Sequence, residues 1–251
     1  MIIGSVQTAI RIVNCFDAEK CELGITEIAE RLKMNKSTIY HIANTLQREG
    51  VLTKTRGKKY RLGIKILEWS SHLLEHQEIL TITKPYMRQI VRETNETVHL
   101  ATLYQGEVVY IDKLESSHSV RIATSIGSRK PAYCTGLGKV LLAFQDESVV
   151  QAVVEKGLVR RTRNTITEPE QLMAELESVR QKGYAVDDGE HEEGLFCVAV
   201  AIHDHTGAVH FALSVSGPEF RLNKSPFSLK KVTTLLLHTA KQISSELGYV
   251  P

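Results

Sequence analysis

ITEIAERLKMNKSTIYHIANTLQREG, residues 25–50, carries two apolar stripes separated by a very short break. Ile25, Ile28, Ala29 and Leu32 recur at helical spacing in the first half, and Ile39, Ile42, Ala43 and Leu46 in the second. Only Lys33, Met34 and Asn35 lie between them. Thr26 is the expected N-cap of the first helix, with Glu27 in its first turn. Asn35 is the expected cap of the second, and Gly50 its stop. Two short helices joined this tightly predict a helix-turn-helix, in which the first helix braces the second for the major groove of DNA.

The face opposite the second stripe supports that prediction. Ser37, Tyr40, His41, Asn44 and Arg48 share it, and all can donate hydrogen bonds. Lys36 and Thr38 stand at the helix N-terminus, where free backbone amides and the helix dipole hold phosphate. A merely solvated helix would carry Glu and Lys there, yet no acidic residue occurs between Glu30 and Glu49.

The next segment, VLTKTRGKKYRLG (51–63), reads as two short strands around an Arg56-Gly57 turn. Lys54, Arg56, Lys58, Lys59 and Arg61 make it a basic wing for phosphate contact or the minor groove. Upstream, Val6, Ala9, Ile10, Val13 and Phe16 predict an amphipathic helix over 5–17. The candidate DNA contacts are Lys36, Ser37, Thr38, Tyr40, His41 and Asn44 in the helix, with Lys54, Arg56 and Lys58 in the wing.

Charge follows the same division. Residues 1–61 hold eleven Lys/Arg against six Asp/Glu, a net of +5, whereas the rest of the chain is at −3. A polyanion is expected at one end only. With 42% apolar and 24% charged residues, the 251-residue chain can bury one large core or two ordinary ones. No apolar run reaches the ~18 residues of a membrane span. The N-terminus lacks a basic n-region and a cleavage site, and four cysteines form no CxxC pair. A cytoplasmic protein with reduced thiols is expected.

A helix over 64–76 follows the wing, with Ile64, Leu67 and Leu74 on one side and Trp69 and Leu73 nearby. It reads as a linker that dimerises, within a join spanning 64–84; an ordinary core helix is the alternative. Together with Val6, Ile10 and Val13 it motivates a two-fold dimer. Past Pro85 a new helix is expected, then β-runs at TVHLATLY, EVVYIDKLE and SVRIATSIG. A loop leads into a helix starting near Gly136, with two more helices at 146–156 and 168–183. Strands LFCVAVAI and AVHFALSVSG and a long helix from Ser228 to Leu247 close the chain. The fold class is α+β, an antiparallel sheet with flanking helices behind a winged helix-turn-helix.

At this point the sequence resembles the IclR family of bacterial transcriptional regulators over essentially its whole length. The winged helix-turn-helix of 25–63, GSRKPAYCTGLGKVLLA (127–143), GYAVDDGEHEEGLFCVAV (183–200) and LSVSGP (213–218) carry the likeness. The resemblance implies a DNA-binding domain over 1–63 and a GAF-like effector domain over 85–251. It also implies dimers that pair into tetramers on operator DNA. The implied effector pocket draws on Ile122, Gly136, Leu137, Asp187, Leu195, Cys197, Ser214 and Ser216.

The acidic run 187–193 decides between a sensor and an enzyme. His191-Glu192 lacks the second histidine of HExxH, and the chain has no GxSxG, Walker loop or GxGxxG. TGLGK lacks the leading glycines of a phosphate loop. His99, His191, His203, His205, Cys134 and Cys197 are candidate zinc ligands without reliable spacing. The expectation is therefore a repressor controlled by a small organic acid, neither catalytic nor metal- or cofactor-dependent. A GAF-like enzyme or zinc-binding protein with an accessory DNA-binding domain is the alternative, as is a nucleoid-type binder without an effector. The acidic run is expected to be a loop over the pocket, with Glu190, Glu192 and Glu193 solvated. Lys130 and Tyr133 are expected to narrow or charge that pocket.

Overall fold

Residues 2–17, 19–75, 77–120, 122–222 and 229–250 are described by a computed structural model. The chain divides after Glu78 into two units. The first holds α1 (Gly4–Val13), α2 (Ile25–Leu32), α3 (Lys36–Arg48), β1 (Leu52–Lys54), β2 (Tyr60–Leu62) and α4 (Lys65–Glu75). The two stripes read from the sequence meet in its core, where Ile28, Ala29, Ile39 and Ala43 pack with Ile12, Phe16, Leu23, Leu52 and Tyr60.

Three local expectations change. Thr26 is not the cap of α2: the helix starts at Ile25, and the Glu27 carboxylate accepts the Gly24 N–H at 2.6 Å. The break between the helices turns on Lys33, which holds a left-handed φ of 53°. In the wing the positive φ, 58°, falls on Lys58 rather than on Gly57. A three-residue loop therefore replaces the two-residue turn, closed by Thr55 N–H to the Lys59 carbonyl. The wing also gains an antiparallel bridge between Leu23 and Tyr60. In α1, Ile12 is buried while Val6 and Ile10 remain exposed.

The second unit begins with α5 (Glu78–Thr94), then β3 (Thr97–Tyr104), β4 (Glu107–Leu114) and β5 (Arg129–Pro131). Next come α6 (Gly136–Ala143), α7 (Glu147–Glu155), α8 (Pro169–Lys182), β6 (Tyr184–Asp188), β7 (Leu195–His203), β8 (Val209–Pro218), α9 (Glu219–Leu222) and α10 (Leu229–Glu246). Helix α5 runs through Pro85 instead of restarting after it. Pro85 and Thr81, whose carbonyl the missing N–H would have met, are both exposed, so the unpaired carbonyl is not buried in the core. His76 and Ser228, expected at helix ends, lie outside the described residues.

The sheet is antiparallel, in the order β5-β4-β3-β8-β7-β6. Strand alternation gives it two different faces. Val98, Leu100, Val198, Val200, Leu213 and Val215 pack with Met87 and Ile90 of α5 and with Leu236 and Ile243 of α10. The other face carries small residues, Ala101, Ala199, Ala201 and Ala212, against Leu137, Val140 and Leu141 of α6. Small side chains let α6 sit close to the sheet. Its glycines complete the fit: a Cβ on Gly136 would stand 3.1 Å from Cys197 Sγ, and one on Gly138 would overlap the Ala132 backbone.

SVRIATSIG is not a third strand. Its described residues are irregular, because the carbonyls of Ile122 and Thr124 accept from Lys113 Nζ, at 3.1 and 2.8 Å, instead of from a neighbouring strand. Strand β6, absent from the sequence reading, takes Asp187 and Asp188 out of the acidic loop.

Candidate functional site

In the first unit, Lys36, Ser37, Thr38, Tyr40 and His41 are all exposed while Ile39 among them is fully buried. Asn35 caps α3 without a side-chain hydrogen bond, so the first amides of the helix keep their donors free. Asn44 differs from its neighbours. It is half-buried, and its Oδ1 accepts from Tyr60 Oη at 3.1 Å. Its amide N–H groups remain free for DNA, and the bond fixes the wing to α3. Lys54, Arg56 and Lys58 are exposed, with Lys54 Nζ 5.6 Å from the centre of the Tyr60 ring.

In the second unit, the small-residue face of the sheet leaves a cavity of about 200 Å³ at the start of α6. Ile122, Gly136, Leu137, Asp187, Leu195, Cys197 and Ser216 line it, as read from the family likeness. Ile122 reaches it from the irregular segment pinned by Lys113. Ser214 does not line it: the residue is fully buried, opposite His99 and Ala199 in the sheet. The sequence reading of the pocket missed His99, Tyr110, Thr124, Thr135, His191 and Glu192. His99 and Tyr110 share their strand faces with Thr97 and Asp112, so alternation alone gave no signal for them. Lys130 lines the cavity as expected, whereas Tyr133 turns away and donates to the Val159 carbonyl at 2.7 Å.

Thr135 caps α6, accepting the Gly138 N–H at 3.2 Å. The amides of Gly136 and Leu137, in the first turn, have no intrahelical acceptor and border the cavity. Asp187 Oδ1 accepts the N–H groups of Glu190, at 2.8 Å, and His191, at 3.3 Å. Burial, then the nearby Glu190 charge, raise Asp187 to about 7 despite those amides and Lys139. Burial, with Lys130 and Arg161, lowers His191 to about 4, and burial with Lys113 lowers His99 to about 3. Both imidazoles are neutral at pH 7. Burial, reinforced by Asp187, raises Cys134 and Cys197 to about 12, so neither is a ready nucleophile.

Glu190 is not on a wet loop face. It is buried and ion-paired with the fully buried Lys139, which also meets Glu175 of α8 at 3.0 Å. Burial opposes the Lys139 charge, but the two carboxylates outweigh it and hold the ammonium above its usual range. Thr165 and Asn164 donate to the carbonyls of Glu190, at 2.7 Å, and Asp188, at 2.8 Å. Glu192 and Glu193 are exposed. Of the histidines considered for zinc, His203 stacks on Tyr249 at 4.8 Å, and His99 bonds Thr124 Oγ1 at 2.7 Å. Among the described residues no three His, Cys, Asp or Glu side chains are grouped to hold a metal ion. No described helix is long and apolar enough to cross a membrane.

Asp187 gives this site a pH signature. An unfolded Asp titrates near 3.8 and Asp187 near 7, so between these values only the folded state keeps the proton. The stabilisation is complete below pH ~4 and is lost as pH rises through 7. Asp187→Asn keeps an acceptor for both amides and removes the loss. Relative to wild type, the variant should gain stability on the order of 2–4 kcal/mol between pH 5 and 8 in urea unfolding. Parallel wild-type and variant curves would refute the assignment.

Comparison with known proteins places these features in one family. Residues 71–245 match the model for the bacterial transcriptional regulator IclR C-terminal domain, and residues 5–56 match the IclR helix-turn-helix domain. The HTH-type transcriptional regulator KdgR of Escherichia coli K12 is 36% identical over 249 residues, covering 98% of this chain and 94% of KdgR. The HTH-type transcriptional repressor AllR of Salmonella typhimurium LT2 is 31% identical over 98% of this chain and 91% of its own. The crystal structure of Thermotoga maritima IclR is 33% identical with a TM-score of 0.76, covering 98% of this chain and 99% of that one. The chain belongs to the IclR family of bacterial transcriptional regulators.

Proposed function

We propose that this regulator is a non-enzymatic repressor whose operator affinity is set by a small organic acid bound beside α6. The observation that carries the DNA-binding part is the sidedness of α3. Its first six residues are exposed apart from buried Ile39, and its leading amides are uncapped. Ser37, Tyr40 and His41 read base edges in the major groove. Lys36 and Thr38 hold phosphates at the helix start, and Lys54, Arg56 and Lys58 hold them along the wing. Asn44 acts chiefly by tying Tyr60 of the wing to the reading helix. Repression is the role named for AllR, and its likeness to this chain supports the same sign here.

The effector part rests on the cavity in the second unit. Carboxylate oxygens fit the free amides of Gly136 and Leu137, with Ser216 also lining the cavity; the Thr135 hydroxyl is already donated to the Pro131 carbonyl. Ile122, Leu195 and Cys197 supply apolar wall. The ligand must bind the DNA-competent and DNA-incompetent states unequally, since an indifferent one shifts neither.

A homodimer is part of the same proposal, with pairing of dimers on DNA. Helix α4 has no buried residue, and Ile64, Leu67, Trp69 and Leu73 are all exposed. Val6 and Ile10 add a second apolar surface on α1. Static light scattering at micromolar concentration should give twice the 28.1 kDa chain mass or a multiple of it; a monomer contradicts the proposal.

The test of DNA reading is competition binding between a duplex selected from a random pool and its scrambled counterpart. Tyr40→Ala should lower the specificity ratio by the equivalent of ~1–3 kcal/mol. Arg56→Ala should weaken both duplexes alike and reduce the slope of log K against log salt by about 1. Arg56 is the better wing probe, because substituting Lys58 also disturbs a left-handed backbone position. An unchanged specificity ratio for Tyr40→Ala would remove α3 from the reading role.

A further inference from the structure

The cavity contains more unsatisfied groups than a single carboxylate can use. Lys130 Nζ has no ion pair or hydrogen bond among the described residues, although the side chain is half-buried in the cavity wall. Charges withdrawn from water are ordinarily paired. Across the cavity, Asp187 Oδ1 is occupied by two amides, while Oδ2 has no described partner. His99 also lines the cavity, with its Nε2 bonded to Thr124 Oγ1 and its Nδ1 sealed away from solvent.

These groups lie on different walls. Gly136, Leu137 and Thr135 form the helix-start wall, and Asp187 stands at the end of β6. Lys130 projects from β5, which pairs with β4 at the far edge of the sheet order from β6. Lys130 and Arg161 act together on His191, depressing its basicity after burial has done so. Of these two cations only Lys130 lines the cavity; Arg161 is exposed outside it. Glu192 also borders it, but this side chain is exposed and its charge is screened by water.

We propose that the cavity binds a hydroxy acid carrying a second anionic group, with Lys130 as the residue that selects for that second charge. One carboxylate lies on the amides of Gly136 and Leu137. A ligand hydroxyl donates to Asp187 Oδ2, and the second anionic group, carboxylate or phosphate, pairs with Lys130. This inference rests on the acid-binding role given to the cavity above and adds the number of charges and the residue that reads them.

Lactate, malate and 3-phosphoglycerate separate the alternatives, being a hydroxy acid with one carboxylate, with two, and with one carboxylate and a phosphate. Their dissociation constants are measured by calorimetry on the full-length protein at constant ionic strength. Wild type should bind malate or 3-phosphoglycerate at least tenfold more tightly than lactate, and the better of the two identifies the second group. Lys130→Gln should abolish that preference, and Lys130→Arg should retain most of it. Unfolding midpoints of the unliganded variants control for folding, since an exchange at this half-buried position leaves no core cavity. A preference that survives Lys130→Gln, or lactate binding as tightly as the dianions, overturns the proposal while leaving an acid site intact. Binding of none of the three overturns the acid-binding reading as well.

Discussion

A lysine ammonium buried between two carboxylates organises the second unit. Lys139 lies in the middle of α6, and its partners come from the loop after β6 and from α8. Such a pair adds little net stability compared with well-packed apolar groups, because desolvation consumes most of the attraction. Its contribution is position. With Lys139 held, α6 is fixed along its axis, and its N-terminal amides stand at one wall of the cavity. With Glu190 held, the loop passes over Asp187 and delivers two N–H groups to its carboxylate. One ion pair thus sets both the donor wall and the acidic wall.

The two faces of the sheet explain why the cavity exists where it does. The face toward α5 and α10 is filled with branched aliphatic side chains and has no room for a ligand. The opposite face is built from Ala, Ser and Cys, and α6 fills only part of the volume those residues leave. Where α6 begins, the filling stops and the polar residues His99, Ser216, Cys197 and Asp187 take over. The loop side is tied as well, by Lys113 to the carbonyls of Ile122 and Thr124 and by Asp187 to the N–H of His191.

The parts legible in sequence were those with a short local period. The stripes of α2 and α3 gave the helix-turn-helix because both core contacts and exposed donors repeat within a few residues. Gly136 and Leu137 were legible for a similar reason, since two glycines before an apolar run mark a helix start packed closely on something. Glu190 was misjudged because a buried carboxylate looks like a solvated one until its cation is found 51 positions earlier in the chain. Ser214 was misjudged because strand alternation assigns a face but not a depth along it. The segment 119–127 looked like a strand by composition, yet Lys113 supplied the hydrogen bonds that a partner strand would have given. Pro85 suggested a helix boundary, and only the exposure of Thr81 and Pro85 shows why the helix continues.

The central claim is that occupancy of the cavity and affinity for DNA are coupled. Coupling between sites of this kind amounts to ~1–3 kcal/mol, a change of roughly 5- to 150-fold in affinity. The direct measurement is the operator dissociation constant, by fluorescence anisotropy at fixed salt, with and without a saturating concentration of whichever acid binds the cavity. The account predicts a shift of at least fivefold toward weaker binding, with a reciprocal loss of acid affinity when operator is present. An acid that binds the cavity while operator affinity stays the same would contradict it.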